Sequence, residues 1–233
     1  MTHLTNFPLP PPDLAQVWLD FDGTISRVDV LDELINRYAV NESWRLIEER
    51  WQAGLIGSRE CLRQEFSLVR ISARELEAFV DRIEVDPGLE LLLEYLAQHR
   101  VPVTILSDGI ERFIKRILAR RGISRLEVYA NRIVQCGERL RLICPHSHTH
   151  CQAGAAHCKC ASAEQLRKPG RQTIYIGDGR SDLCPARKAD RVFAKGVLAR
   201  ALAVEHLAYI PFVSLRDVAS ALRQAWSTRA AVI

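Results

Sequence analysis

Val17, Trp18 and Leu19 form an unbroken apolar run, with a Pro-rich stretch before it and a glycine turn after it. A short run bounded in this way predicts a buried strand. From 28 to 83 the spacing turns helical: Leu31, Leu34, Ile35 and Tyr38 recur on one face, as do Leu46, Ile47 and Trp51. Ser43, Ser58 and Ser72 stand where helix caps are expected. Asp86-Pro87-Gly88 marks a hinge. Beyond it the pattern alternates. Helices are predicted over 89–99, 109–121, 161–168, 182–188, 197–206 and 215–226. Strands are predicted over 101–106, 172–176, 191–194 and 209–213, and 126–143 reads as a hairpin turning at Cys136-Gly137-Glu138. Strands alternating with helices imply an α/β fold with a parallel sheet covered on both faces. The expected layout is an N-terminal tail at 1–14, a core at 15–27 and 84–233, and a helical insertion at 28–83.

Composition keeps this picture. Of 233 residues, 48% are hydrophobic and 26% charged, as in a soluble globular protein. The formal charge is +4 and the pI about 8.7, with the charges scattered, so no nucleic-acid surface is indicated. A slight positive field suits an anionic small molecule. No apolar run approaches the roughly 20 residues of a membrane span. Seven cysteines without a secretory signal point to a reducing cytoplasm rather than a disulfide framework. The sequence carries no signature of oligomeric state.

The first strand ends in Asp20 and Asp22. As the strand unravels at its carboxyl end, both carboxylates can reach one crevice, and open α/β sheets bind ligands there. Carboxylates that close need a cation or a shared proton. The plain alternative is a polar Asp-Gly turn. Ser107-Asp108-Gly109 opens a helix, so it is a cap, an anion site, or both. Cys144, His146, His148, His150, Cys151, His157, Cys158 and Cys160 crowd one loop; zinc takes four such ligands, and a polar loop of free thiols is the alternative. Their spacing matches no standard zinc module. His3, His99 and His206 read as bystanders.

Four stretches in order resemble the haloacid dehalogenase-like superfamily, in its phosphoserine-phosphatase-like branch. Asp20-Phe21-Asp22-Gly23-Thr24 resembles its first motif and Ser107-Asp108-Gly109 its second. Lys159 resembles its third, and Gly177-Asp178-Gly179-Arg180-Ser181-Asp182 its fourth. The resemblance implies a Rossmann-like core with a small helical cap inserted after the first strand. It implies a Mg²⁺-dependent phosphatase acting on a small cytosolic phosphomonoester through an aspartyl-phosphate. Asp20 would be the nucleophile, and Asp22 the general acid and then base. The superfamily's dehalogenases lack that second acid. Mg²⁺ would be held by Asp20, the backbone carbonyl of Asp22, and Asp178, with Asp182 supporting it or replacing a water. Ser107, Asp108, Gly109 and Lys159 would bind the phosphoryl group; Lys168 is the rival lysine. Asp29 would meet substrate, or cap the helix that follows. A structural Zn²⁺ would order the loop presenting Lys159. Cys144-Pro145-His146-Ser147 and Phe193-Ala194-Lys195 resemble a narrower group, the phosphatases of 2-hydroxy-3-keto-5-methylthiopentenyl-1-phosphate in methionine salvage. Phosphoserine phosphatase or another metabolite phosphatase is the alternative. A binding protein on the same fold is a third, though it would need none of Asp20, Asp22, Lys159 and Asp178.

Overall fold

The computed structural model of the protein describes residues 8–230, with side chains from 8 to 227. Strand β1 (Ala15–Leu19) is buried along its whole length at the middle of a seven-stranded sheet. It pairs in parallel with β2 (Val103–Ile110) on one side and β5 (Gln172–Gly177) on the other. The hairpin β3 (Glu127–Cys136) and β4 (Arg139–Ile143) extends the β2 side. Strands β6 (Arg191–Ala194) and β7 (Ile210–Pro211) extend the β5 side. The order is β4-β3-β2-β1-β5-β6-β7, parallel except for the hairpin. All the parallel strands therefore end on one edge, where an open α/β sheet places its ligands.

Alternation sets the two faces. Val17 and Leu19 join the larger apolar cluster, whereas Trp18 joins Leu106, Tyr175 and Leu198 on the other side. One face is covered by α5 (Leu89–Gln98), α6 (Glu111–Ala119) and α10 (Leu215–Ala230). The other is covered by α7 (Lys159–Leu166), α8 (Leu183–Lys188) and α9 (Gly196–Val204). A run with every residue buried and no polar face is what a central parallel strand requires.

Helices α1 (Val30–Tyr38), α2 (Trp44–Gln52), α3 (Ser58–Leu68) and α4 (Ala73–Val80) all fall between 28 and 83. An isolated antiparallel bridge between Ser26 and Val85 ties the ends of this segment. At the return, Asp86 accepts the backbone N–H groups of Gly88 and Leu215. No described helix is long and apolar enough to cross a membrane.

Several sequence expectations change. The second strand runs on to Ile110, and the helix at 161–168 begins at Lys159. The last strand has only two residues. Ser72 caps α4 in a reciprocal box with Glu75, but Ser43 makes no side-chain cap and Ser58 is already inside α3. Of the expected tail, residues 1–7, and His3 with them, lie outside the described residues. The rest is packed: Leu9 is buried, and the Trp226 indole donates to the Pro10 carbonyl.

Candidate active site

The chain leaves the sheet at Asp20, whose N–H donates to the Ile176 carbonyl at 2.9 Å. Phe21 turns back into the core, and its carbonyl accepts from the N–H groups of Thr24, Ile25 and Ser26. Gly23 sits at φ +73°, and a Cβ there would lie 2.5 Å from an Asp178 carboxylate oxygen. This tight turn puts Asp20 and Asp22, on either side of Phe21, at the edge of a cavity of about 390 Å³. Strand β2 reaches the same cavity by irregularity. Its register shifts between Leu106 and Ile110, so Ser107, Asp108 and Gly109 bulge out of the ladder.

Lys159 is 3% exposed and donates to Asp20 at 2.5 Å and to Asp182 at 2.7 Å. Lys168 is exposed. Asp182 is fully engaged: it also accepts from the Tyr175 hydroxyl and from the N–H groups of Asp178 and Gly179. Asp178 accepts from the Thr24 hydroxyl at 2.8 Å. Asp22 accepts from the Val30 N–H and the Ser107 hydroxyl, each at 3.1 Å.

These neighbours decide the charges. Burial alone would discharge Lys159, but Asp182 and Asp20 outweigh it and hold the ammonium charged well above its ordinary range. Burial, and then the charge of Asp182, push Asp20 upward, with Lys159 opposing. Burial also raises Asp178. Asp22 is pushed up to about 8, by burial first and then by Asp29, against the two hydrogen bonds it accepts.

Excess negative charge is the test for a cation. One oxygen each from Asp20, Asp178 and Asp182 lies within 4.8 Å of the others. An all-oxygen set with a single ammonium against it fits Mg²⁺, a hard ion.

Ser107 is fully buried; its hydroxyl donates to Asp22 and accepts the Gly109 N–H, so it stands behind the cavity wall. A Cβ on Gly109 would come within 2.6 Å of Asp22 and 2.9 Å of the Ser107 hydroxyl, which is why glycine is needed there. Asp108 lines the cavity and accepts from the His157 N–H and the Ser58 hydroxyl. Asp29 caps α1 through the N–H groups of Leu31 and Asp32, and lines the cavity as well.

The haloacid dehalogenase-like hydrolase family model matches residues 17–187. The chain belongs to this family. A Bacillus cereus 2-hydroxy-3-keto-5-methylthiopentenyl-1-phosphate phosphatase is 26% identical over 211 residues, covering 89% of this chain and 95% of the relative. The Brevibacillus brevis protein of the same name is 28% identical over the same shares. A solved phosphoserine phosphatase, described as a phospho-aspartyl intermediate analogue, superposes with a TM-score of 0.67 at 22% identity. That match covers 87% of this hydrolase and 96% of the other chain, and it shows the fold.

The Cys/His loop of this hydrolase departs from expectation in three ways. His157 is no metal ligand: one ring nitrogen donates to the Ser107 carbonyl at 2.9 Å and the other accepts from Ser162 at 2.7 Å. Burial presses it down to about 3, so it is a neutral strut joining the Lys159 loop to Ser107. Cys144 stands apart from the cavity that His148, His150, Cys151, Cys158 and Cys160 share. Cys160 is disulfide-bonded to Cys184, a residue outside the loop, where reduced thiols were expected.

Other residues escaped the sequence reading. Ser58 joins α3 to the core through Asp108 and the Ala156 N–H. Arg180 donates to the Trp51 and Gln52 carbonyls, spanning from the fourth motif to α2. Asp32, Glu48, Cys61 and Glu65 line the cavity from the helical side.

Proposed function

We propose that this chain is a Mg²⁺-dependent phosphomonoesterase whose nucleophile is Asp20. The observation that carries the reading is the contrast between the two acids. Asp20 accepts from the Lys159 ammonium, whereas Asp22, beside it at the cavity edge, accepts only from a neutral hydroxyl and a backbone N–H. An Asp20 oxygen attacks phosphorus, the ester P–O bond breaks, and Asp22 gives its proton to the leaving oxygen. Asp22 then takes a proton from water, which attacks the acyl-phosphate, freeing Asp20 and inorganic phosphate. Lys159 holds Asp20 in place and offsets charge on the phosphoryl oxygens, with Asp108 and Gly109 as their other neighbours, while Ser107 orients Asp22 from behind. Asp20, the Asp22 carbonyl and Asp178 would hold Mg²⁺, which would supply the charge neutralisation that phosphoryl transfer needs. Asp182 fixes Lys159 and the Asp178 turn. Residues 28–83 act as a cap over a core of 15–27 and 84–233.

The substrate is a small phosphorylated metabolite in the cytoplasm. The names of the relatives favour 2-hydroxy-3-keto-5-methylthiopentenyl-1-phosphate. One observation favours a second reading: Asp29, Asp32, Glu48 and Glu65 would suit an amine-bearing ester such as phosphoserine. Acid quenching during turnover of a labelled phosphomonoester tests the mechanism. A label released by hydroxylamine, and absent from Asp20→Asn, is expected; a label that persists in that variant overturns the assignment. A panel of phosphomonoesters, half with an ammonium group, decides between the substrate classes.

A further inference from the structure

On the phosphomonoesterase reading above, we propose that Glu48 and Glu65 bind a primary ammonium group on the leaving alcohol. The substrate is then the phosphate ester of an amino alcohol that carries no carboxylate. One oxygen of Glu48, one of Glu65 and the Cys61 sulfur lie within 4.8 Å of one another. Glu65 and Cys61 are each 3% exposed, and Glu48 is half-buried. Glu48 accepts from the Gln52 amide at 2.9 Å and from the Cys61 thiol at 3.9 Å. Glu65 has no N–H or O–H donor among the described residues. The Cys61 thiol stands beside both carboxylates, and a thiol has one proton to give. A buried carboxylate therefore lines the cavity with an acceptor unfilled, and a cation is what stabilises it. Burial, and then the charge of Glu48, push Glu65 up to about 8, as expected where that cation is missing.

The geometry suits an ammonium nitrogen. Charge-assisted N–H···O contacts run about 2.7–2.9 Å, so one nitrogen can reach both oxygens across that gap. A primary ammonium has three donors, and a quaternary one has none. Place suits it too. The Val30 N–H donates to Asp22, and Asp29 caps α1, so the first cap helix starts at the acid that protonates the leaving oxygen. The departing alcohol faces the cap wall, where Glu48 and Glu65 stand.

A carboxylate on the same alcohol would need a cation of its own. Arg27 lines the cavity but is paired with Glu84 at 3.1 Å. Arg180 donates to the Trp51 and Gln52 carbonyls, and Lys159 to Asp20 and Asp182. The other charged side chains of this wall, Asp29 and Asp32 among them, are acids that would repel it.

A panel of esters tests the site: O-phosphoethanolamine and 3-aminopropyl phosphate, their neutral counterparts propyl and butyl phosphate, and phosphoserine. For the amino alcohol esters, kcat/KM should exceed that of the neutral counterparts by about 10² or more, since a site built for a polar group rejects analogues that lack it. Phosphoserine should fall below O-phosphoethanolamine. In Glu65→Gln the ratio of each charged ester to its counterpart should drop by about tenfold or more, the scale of a buried charge contact. Glu65→Asp should keep more of that ratio than Glu65→Gln. A ratio unmoved in Glu65→Gln overturns the assignment, and the wild-type panel decides alone should that variant fail to fold. Equal turnover of charged and neutral esters, or a preference for phosphoserine, overturns the substrate class and leaves the phosphomonoesterase reading standing. Calorimetry on Asp20→Asn needs no turnover and so separates the two. There O-phosphoethanolamine should bind about tenfold or more tighter than propyl phosphate; equal affinity overturns the site. One equivalent of a divalent metal that survives EDTA dialysis in wild type and is lost in Glu65→Gln also overturns it, because the carboxylates would then hold that ion instead.

Discussion

On the core side of the cavity, Asp20 and Asp182 share the buried ammonium of Lys159, and Asp178 accepts from Thr24. On the helical side, Asp32, Glu48 and Glu65 face the same space, and none of them makes an ion pair among the described residues. The acids on the two sides have similar reasons to repel. Those of the core are answered by fixed donors, so their positions are set before substrate arrives. Those of the cap are answered by each other, and burial raises Asp32 to about 7 and Glu65 to about 8. Chemistry common to a family needs the first arrangement, because the phosphoryl group always arrives at the same place. Recognition of a particular leaving group can use the second, because only the right partner relieves it.

Removing the core's nucleophile breaks the comparison most completely. Asp20→Asn should lose hydrolysis by a factor on the order of 10⁴ to 10⁶, the scale seen when a nucleophile is deleted. Asn keeps the shape and the fold, which circular dichroism checks. Turnover within about tenfold of wild type would rule out Asp20 as nucleophile.

Metal removal acts on the same side. Dialysis against EDTA should abolish turnover, Mg²⁺ should restore it, and Ca²⁺ should compete without restoring it. Ca²⁺ takes more and longer oxygen contacts than Mg²⁺, so the acids around Asp20 would be spread apart. Full activity after chelation defeats the proposed cofactor role.

Asp22→Asn should cost less, about 10² to 10⁴, the usual size of an acid–base contribution. With p-nitrophenyl phosphate the loss should shrink, because that leaving group needs little proton donation. An equal loss with activated and alkyl esters would count against Asp22 as the acid.

The two sides also differ in how much the sequence revealed. The core half was legible because its chemistry sits where strands end. Asp20, Asp22, Ser107 and Asp178 follow apolar runs, and a strand end has a fixed place in an α/β sheet. Lys159 was legible only through the order of the motifs, since nothing local shows that α7 begins there and buries its first residue. The bulge at Ser107-Asp108-Gly109 was hidden too, because the strand continues through it and periodicity carries no record of register. The cap acids were invisible for a different reason. Asp32, Glu48 and Glu65 occupy helices whose polar positions normally face water. Only the docking of α1, α2 and α3 over the sheet turns them inward. Ser58 read as a cap because a serine opening a helix has that local use, and its bond to Asp108 spans 50 residues. His157 and Cys184 failed similarly: one looked like a ligand and is a strut, and the other lay outside the loop it joins.

The smallest expected effect tests the cap side directly. Glu65 is 3% exposed, sits with Glu48 and the Cys61 thiol, and is raised from the ordinary carboxylate range to about 8, by burial first and then by Glu48. Between the ordinary range and about 8 the folded protein holds a proton on Glu65 that the unfolded chain has released. The folded state therefore binds more protons there, and this group lowers stability as pH rises through that window. Gln has the shape of the protonated form and cannot ionise. Glu65→Gln should match wild type in urea denaturation near pH 5 and exceed it near pH 8.5. The same variant should weaken KM for ammonium-bearing phosphomonoesters and leave uncharged esters and kcat within a few-fold of wild type. A stability difference that stays flat with pH would show that Glu65 ionises freely. The acids of the cap would then be answered by water, and the contrast between the two sides of the cavity would disappear.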